Sequence, residues 1–147
     1  MQMIFQYHYE SLNPRWTIKD IIKEPLDIHN IGDLKDREEA VIEILKTVGL
    51  TPPQNYLSRY PHEISGGQRQ RVSIARTLIM KPKFVICDEP TSMLDVSIRI
   101  SIMDLMLNLA KELNVSYLYI THDLAVARYM CNRIAVMFNG KIVEIAE

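Results

Sequence analysis

Two adjacent carboxylates, Asp88 and Glu89, follow an apolar stretch that begins at Phe84. Where a buried strand emerges, one carboxylate can hold a metal ion and the other can activate a water molecule. The pattern therefore predicts metal-assisted attack by water at this strand end. The simpler alternative for Glu89 is an acid that only caps a turn.

A serine and two glycines, Ser65, Gly66 and Gly67, stand at the start of a predicted helix. Glycines leave backbone N–H groups uncovered at the positive end of a helix, which suits an anion such as phosphate. An ordinary tight turn is the alternative. The 147 residues contain no G-x-x-x-x-G-K-[ST] loop, the element that wraps the phosphates of most nucleotide-binding proteins. We therefore expect this chain to carry part of a nucleotide site.

Start and stop signals predict helices before the glycine pair. Thr17 is a predicted N-cap for a short helix that ends at Pro25. Asp33 or Asp36 opens a second helix, whose apolar residues recur at helical spacing until Gly49 closes it. Ser65 is then the predicted cap of the helix that carries the glycines.

Strands and helices alternate after Lys83. Residues 84–87 and 117–120 are apolar runs typical of parallel strands covered on both faces, and Asp95 opens a helix between them. Asn139-Gly140 between two apolar runs predicts a C-terminal hairpin. The order predicts an α/β fold with a mostly parallel sheet.

Composition gives information on partners, membrane segments and cysteine chemistry. With 17 basic and 18 acidic residues the net charge is -1, which gives no reason to expect nucleic acid. No apolar run approaches the roughly 18 residues that span a bilayer, and no signal peptide opens the chain. The two cysteines lack metal-ligand spacing, and Cys87 is expected to be a buried core thiol. We expect a soluble, reducing, cytoplasmic setting, with peripheral attachment to a membrane protein left open.

Several motifs, in order, resemble those of the ATP-binding cassette (ABC) ATPases, a branch of the P-loop NTPases. The resemblance rests on a glutamine loop at Gln6 with SLNPR (11–15), a signature ISGGQ (64–68), a Walker B strand FVICDE (84–89), a D-loop SMLD (92–95), and a switch histidine, His122. The residues of these motifs are similar to those of the subfamily that imports oligopeptides, dipeptides and nickel. Tyr7, His8 and Met93 depart from the usual residues, and the Walker A loop is not among the 147 residues.

The resemblance implies roles at the first cluster. Glu89 would be the general base that polarises the attacking water, and His122 would hydrogen-bond the γ-phosphate of ATP. Asp88 would hold Mg²⁺. Gln6 would contact the metal or the water.

It also implies a shared site. Ser65, Gly66 and Gly67 would clasp ATP held by an opposing subunit, with Gln68 completing the motif. Asp95, which the sequence alone predicts to cap its helix, would also contact that subunit. The partners implied are a second ABC ATPase subunit (in a homo- or heterodimer), integral membrane permease subunits and, indirectly, an extracytoplasmic solute-binding protein. The chain would lie at the cytoplasmic face of the membrane.

The resemblance implies a partial ABC nucleotide-binding domain over 1–147, with a helical signature subdomain at 16–80 and a catalytic part at 81–147. Because the chain starts inside a strand, we expect it to begin partway through a larger domain. We expect it to show no ATPase activity alone and to leave two sheet edges unpaired. Two alternatives remain at this stage: a non-transport member of the superfamily, and a truncated, inactive fragment or interaction module.

Overall fold

Three parallel strands form the main sheet of the chain, whose computed structural model describes residues 1–6 and 12–147. These strands are β1 (Gln2–Ile4), β2 (Phe84–Asp88) and β3 (Ser116–Ile120). Their order is β1-β2-β3, and both pairings are parallel, so all three strands end at the same edge. The predicted α/β fold with a parallel sheet is confirmed.

Six helices accompany the strands in the described part of the chain. They are α1 (Ile18–Ile28), α2 (Leu34–Thr47), α3 (Gln54–Leu57), α4 (Gly66–Leu78), α5 (Val96–Glu112) and α6 (Leu124–Met130), with a 3₁₀ turn at Pro61–Glu63. Helices α1, α2 and α4 pack on one another, and α4 also packs on β1 and α5. Ile22, Leu45 and Ile74 are fully buried between them. Burial of such a side chain stabilises the fold by about 1.5–3 kcal/mol.

Local caps form where the sequence predicts them. The Thr17 hydroxyl accepts a hydrogen bond from the backbone N–H of Asp20 at 3.2 Å. Asp33 and Asp36 form a reciprocal capping box at the start of α2. Gly49 follows α2 with φ +75, a left-handed conformation that glycine adopts without steric cost.

The prediction that α1 ends at Pro25 is wrong. The helix continues to Ile28, and the Pro25 carbonyl accepts a hydrogen bond from the His29 N–H at 3.2 Å. A proline inside a helix costs about 3 kcal/mol because it removes a hydrogen bond and crowds the preceding turn. Leu26, in the turn that follows, is only 4% exposed, so its burial offsets much of that cost.

The prediction that the strands are covered on both faces is also wrong for the described residues. In β2, Val85 and Cys87 are fully buried, whereas Phe84 remains 37% exposed. In β3, Leu118 and Ile120 are almost half exposed. The described helices therefore cover one face of the sheet. Cys87 is the core thiol that the sequence predicts, and burial raises its pKa to about 12.

A separate antiparallel hairpin ends the chain, as predicted. It consists of β4 (Ile134–Phe138) and β5 (Lys141–Ala146). Asn139 and Gly140 both have positive φ, 48 and 74, which is the requirement of a type I′ turn. Within the described residues β4 pairs with β5 but not with β3, so β3 is an edge of the main sheet. This agrees with the expected unpaired edges.

Candidate functional site

The carboxyl edge of the sheet gathers the predicted catalytic residues. Asp88 is the last residue of β2, Gln6 follows β1, and His122 follows β3. Because parallel strands end at one edge, residues that follow neighbouring strands lie close together there. The structure thus brings together residues from three separate stretches of sequence.

Glu89 adopts a strained backbone at this edge. Its φ is +42, in the left-handed region that residues other than glycine seldom occupy. Its N–H donates to the carbonyl of Ile120 at 3.0 Å, which ties the turn after β2 to the end of β3. Strain of this kind costs about 1–3 kcal/mol and persists only where surrounding contacts hold it.

The Glu89 carboxylate lies between two predicted partners. The side-chain amide of Gln6 donates to Glu89 Oε2 at 3.2 Å, and it also donates to Ser92 Oγ at 3.3 Å. The other carboxylate oxygen, Oε1, makes a short contact with Nδ1 of His122. The Glu89 carboxylate thus contacts both neighbouring predicted residues, and its role as a base rather than only a turn cap stays a prediction.

The imidazole of His122 is exposed, and Glu89 shifts its protonation. The hydrogen bond that the ring donates to the Glu89 carboxylate, followed by the negative charge of the same carboxylate, raises the pKa of His122. The ring can therefore hold a proton beside the carboxylate and can also reach a ligand from solvent. Such an exposed, orientable donor suits an anionic group placed at the edge of the sheet.

Asp88 and the amide oxygen of Gln6 fit a hard cation. Within the described residues neither oxygen group accepts a side-chain hydrogen bond, so both are available as ligands. Mg²⁺ prefers oxygen ligands and is usually held by one or two protein groups, with water and phosphate completing its shell. No cluster of three or more His, Cys, Asp or Glu ligands is found among residues 1–6 and 12–147. A cation shared with phosphate is therefore the arrangement that this donor set fits.

The turn after Glu89 contains two contacts that the sequence did not reveal. Ser92 Oγ donates to the Glu89 carbonyl at 3.1 Å. The Thr91 hydroxyl lies 3.1 Å from the hydroxyl of Tyr119 on β3. A serine three residues after the acid is a local signal for the first contact, but only the packing of β3 reveals the second.

The serine-glycine group forms a separate surface at the start of α4. Ser65 caps the helix, as predicted, and the side chains and backbones of Ser65 and Gln68 form a capping box. Gly66 and Gly67 are the first two residues of the helix, which replaces the tight-turn alternative. No hydrogen bond or ion pair among the described residues joins this group to Asp88, Glu89 or His122.

The predicted capping role of Asp95 is wrong. Asp95 occupies the N-cap position of α5, but its side chain makes no capping hydrogen bond. The residue is exposed, and only its carbonyl serves the helix, accepting from the Arg99 N–H at 2.8 Å. Its carboxylate consequently remains available to another group. Tyr7, His8 and Ser11, the part of the glutamine loop next to Gln6, lie outside the described residues.

Solved ABC cassettes share this fold. The dimeric structure of MJ0796, a bacterial ABC transporter cassette, matches with a TM-score of 0.80 and 31% identity, covering 99% of this chain and 61% of that chain. Its post-hydrolysis state bound to ADP and Pi matches with the same values. The fold is therefore that of the ABC-type cassettes. The ABC transporter family model matches residues 1–92, and the chain belongs to this family.

Several curated relatives within this family are similar to the chain. The oligopeptide transport ATP-binding protein OppF of Bacillus subtilis is 54% identical over 99% of this chain and 48% of the relative. The oligopeptide transport ATP-binding protein AmiF of Streptococcus pneumoniae is 51% identical over 100% of the chain and 47% of the relative. The dipeptide transport ATP-binding protein DppF of Lactococcus lactis is 50% identical over 98% and 46%. All three relatives are named as ATP-binding proteins of oligopeptide or dipeptide transport.

The chain spans about half the length of the curated relatives it matches. In the part of the chain that the structure describes, no helix is both long enough and apolar enough to cross a membrane.

Proposed function

We propose that the chain belongs to the ATP-hydrolysing subunit of an ABC importer for oligopeptides or dipeptides, and that it supplies that subunit's water-activating and signature groups. The observation that carries the proposal is the Glu89 carboxylate, held between the Gln6 amide and the His122 ring at the carboxyl edge of the sheet. The relatives named as oligopeptide and dipeptide transport ATP-binding proteins support the solute class. Nickel, which the sequence resemblance also allows, is the second solute to test.

Glu89 acts as the general base in this proposal. It accepts a proton from the water that attacks the γ-phosphate of ATP, while Gln6 orients that water through its side-chain amide. His122 donates a hydrogen bond to the γ-phosphate. The raised pKa of His122 supports this role, because a protonated ring is a charge-assisted donor to phosphate.

Asp88 and the amide oxygen of Gln6 would hold Mg²⁺. Bound there, the metal would neutralise charge on the phosphate oxygens. The carboxylate of Asp88 and the carboxylate of Glu89 thereby divide the work, one as ligand and the other as base.

The signature group serves a neighbouring subunit. Ser65 and the N–H groups of Gly66 and Gly67 clasp the phosphates of ATP held by a second ABC ATPase subunit, with Gln68 fixing the helix start. Asp95 contacts the same subunit. The separation of this surface from Glu89 and the dimeric state of MJ0796 support the arrangement. The helix dipole and the backbone N–H groups of the first turn make the start of α4 suitable for binding phosphate.

Coupling to transport follows from the division of the chain. The segment 16–80 forms the helical signature subdomain that meets the integral membrane permease, and 81–147 forms the Walker B and switch-histidine part. The complex lies at the cytoplasmic face of the membrane and receives solute indirectly from an extracytoplasmic solute-binding protein. The near-neutral charge of the chain supports a protein partner rather than nucleic acid.

The first experiment measures Mg²⁺-dependent ATP hydrolysis by the full-length gene product. We expect Glu89→Gln to lower kcat by at least about 100-fold, the contribution of a positioned general base. Glu112→Gln, which changes an exposed acid at the end of α5, is the matched control and should leave kcat unchanged. Absence of hydrolysis in the wild-type protein, or equal rates for both variants, would overturn the proposal.

The second experiment tests the shared site. Glu89→Gln protein should dimerise when Mg²⁺ and ATP are added, as measured by light scattering, because ATP is bound but not hydrolysed. Adding Ser65→Arg should abolish the dimer, since a large cation at the exposed helix start blocks the clasp. Ser58→Arg, at an exposed position of the same helical subdomain, is the control and should still dimerise. A dimer that tolerates Ser65→Arg would argue against the clasp.

A further inference from the structure

A partly buried hydrogen bond between two hydroxyl groups joins the turn after β2 to β3. Thr91 is 3% exposed, and its Oγ1 atom lies 3.1 Å from the hydroxyl oxygen of Tyr119. Either group can donate the hydrogen bond. Burial raises the pKa of Tyr119 to about 12, so the phenol keeps its proton at neutral pH and the contact is a bond between neutral groups.

Each member of the pair is close in sequence to one of the two predicted catalytic residues, Glu89 and His122. Thr91 is two residues after Glu89, and Tyr119 is three residues before His122. The same turn and strand are also joined by the bond from Glu89 N–H to the Ile120 carbonyl at 3.0 Å. The hydroxyl pair adds to this backbone bond and to the contact between the Glu89 carboxylate and the His122 ring, so it is a further connection between the segments that carry the acid and the histidine.

The turn needs such a connection because its backbone is strained. Glu89 has a positive φ, and the turn's own bonds are long: Ser92 N–H donates to the Glu89 carbonyl at 3.2 Å and Leu94 N–H to the Thr91 carbonyl at 3.2 Å. A strained conformation persists when neighbouring contacts over-determine it. The partly buried hydrogen bond to β3 provides such a contact.

Tyr117, on the same strand, provides an internal comparison. Its hydroxyl is buried and has no hydrogen-bond partner among residues 1–6 and 12–147. A Tyr-to-Phe change at either position removes one hydroxyl group from β3. Only the change at Tyr119 breaks a contact to the turn.

We propose that Tyr119 and Thr91 are positioning residues, whose hydroxyl pair holds the Glu89 turn against the strand that leads to His122. This rests on the proposed function only in that Glu89 and His122 are the groups aligned for ATP hydrolysis. The contact itself is a property of the fold.

The first test measures amide hydrogen exchange in the 147-residue chain. Tyr119→Phe and Thr91→Val should speed exchange at Glu89, Ser92 and Leu94 by about twofold to tenfold, the range set by the loss of one neutral hydrogen bond. Tyr117→Phe and Thr91→Ser should exchange at these amides like the wild type. Equal exchange at these amides in Tyr119→Phe and wild type would overturn the proposal, as would equal acceleration by Tyr117→Phe.

The second test measures ATP hydrolysis by the full-length gene product. Tyr119→Phe and Thr91→Val should lower kcat by about twofold to tenfold with KM unchanged, because alignment is lost and ATP contacts are kept. Thr91→Ser keeps the hydroxyl group and should therefore keep the wild-type kcat. Tyr117→Phe should not change kcat either.

The two tests separate the proposals. A full-length wild-type protein without ATPase activity would contradict the proposed function. The amide hydrogen exchange measurement would still decide whether the hydroxyl pair holds the turn. An active enzyme whose kcat is unaffected by Tyr119→Phe would overturn the positioning role alone.

Discussion

The Cγ2 methyl group of Ile98 occupies the space beside Gly67, so that a Cβ atom at Gly67 would lie 2.7 Å from it. Gly67 is buried within the first turn of α4 and is not among the glycines with positive φ. Glycine is therefore required here by its neighbour rather than by its backbone conformation. The contact joins the start of the signature helix to the first turn of α5, immediately after Asp95.

Gly67→Ala should destabilise the chain by about 1–3 kcal/mol, the usual cost of overpacking. Rotation of the Ile98 side chain away from the new methyl group is unfavourable, because a β-branched residue has one strongly preferred χ1 rotamer in a helix. The free energy of unfolding from urea titration measures the effect.

Two changes at Ile98 test the cause. Ile98→Leu removes the Cγ2 methyl group and should recover most of the stability lost in Gly67→Ala. Ile98→Val keeps a methyl group at that position and should recover little. If both double variants behave alike, the contact between Gly67 and Ile98 is not the reason for the loss.

Much of the fold was predictable because its signals are local. Asn139-Gly140 defines the hairpin turn, and Ser65 defines the start of α4, since a few neighbouring residues determine each conformation. Pro25 and Asp95 misled for the opposite reason. Burial of Leu26 carries α1 past the proline, and no local rule fixes where the side chain of Asp95 points.

The site was predictable only in part. Asp88 and Glu89 stand out as paired acids at a strand end, whereas Gln6 gained its meaning from the family resemblance alone. The contact between Thr91 and Tyr119 joins residues 28 apart in sequence, and it depends on how β3 packs beside β2. No periodicity or cap encodes a contact of that kind.

His122 should titrate above its ordinary pKa of about 6.5, and Glu89→Gln should lower the pKa toward that value. The cause is the hydrogen bond and then the charge of the Glu89 carboxylate, which both favour the protonated ring. NMR of the ring protons against pH measures the shift. Glu112→Gln is the control, and an unchanged His122 titration in Glu89→Gln would refute the contact.

The same contact links stability to pH. The folded-state pKa of His122 is raised above the unfolded value of about 6.5. The stabilisation by this pair should therefore be fully present below about pH 6.5 and disappear as pH rises through the raised pKa. Urea titrations of wild type and Glu89→Gln across that window should converge at the alkaline end.

Arg71→Lys should destabilise the chain by about 1.5–3 kcal/mol, the contribution of hydrogen bonds to a charged group. One guanidinium nitrogen of Arg71 donates to the Val48 carbonyl at 2.6 Å and the other to Ser101 Oγ at 2.9 Å, joining the end of α2 to α5. A lysine ammonium lacks the fork that reaches both. Ser101→Ala removes one acceptor and should cost about 0.5–1.5 kcal/mol. Equal losses in the two variants would contradict the bridging role.

Two glutamines on α4 should respond in opposite directions to the same substitution. Gln70 is 0% exposed, and neither polar atom of its amide has a hydrogen-bond partner in the part of the chain that the structure describes. Gln70→Met should raise the free energy of unfolding by about 1–3 kcal/mol, because an unpaired buried amide is replaced by an apolar chain of similar length. Gln68 instead accepts from the Ser65 N–H at 3.0 Å and donates to the Tyr56 hydroxyl at 3.4 Å. Gln68→Met should lower the free energy of unfolding by about 0.5–1.5 kcal/mol, and a change of the same sign in both urea titrations would show that Gln70 is not unpaired in solution.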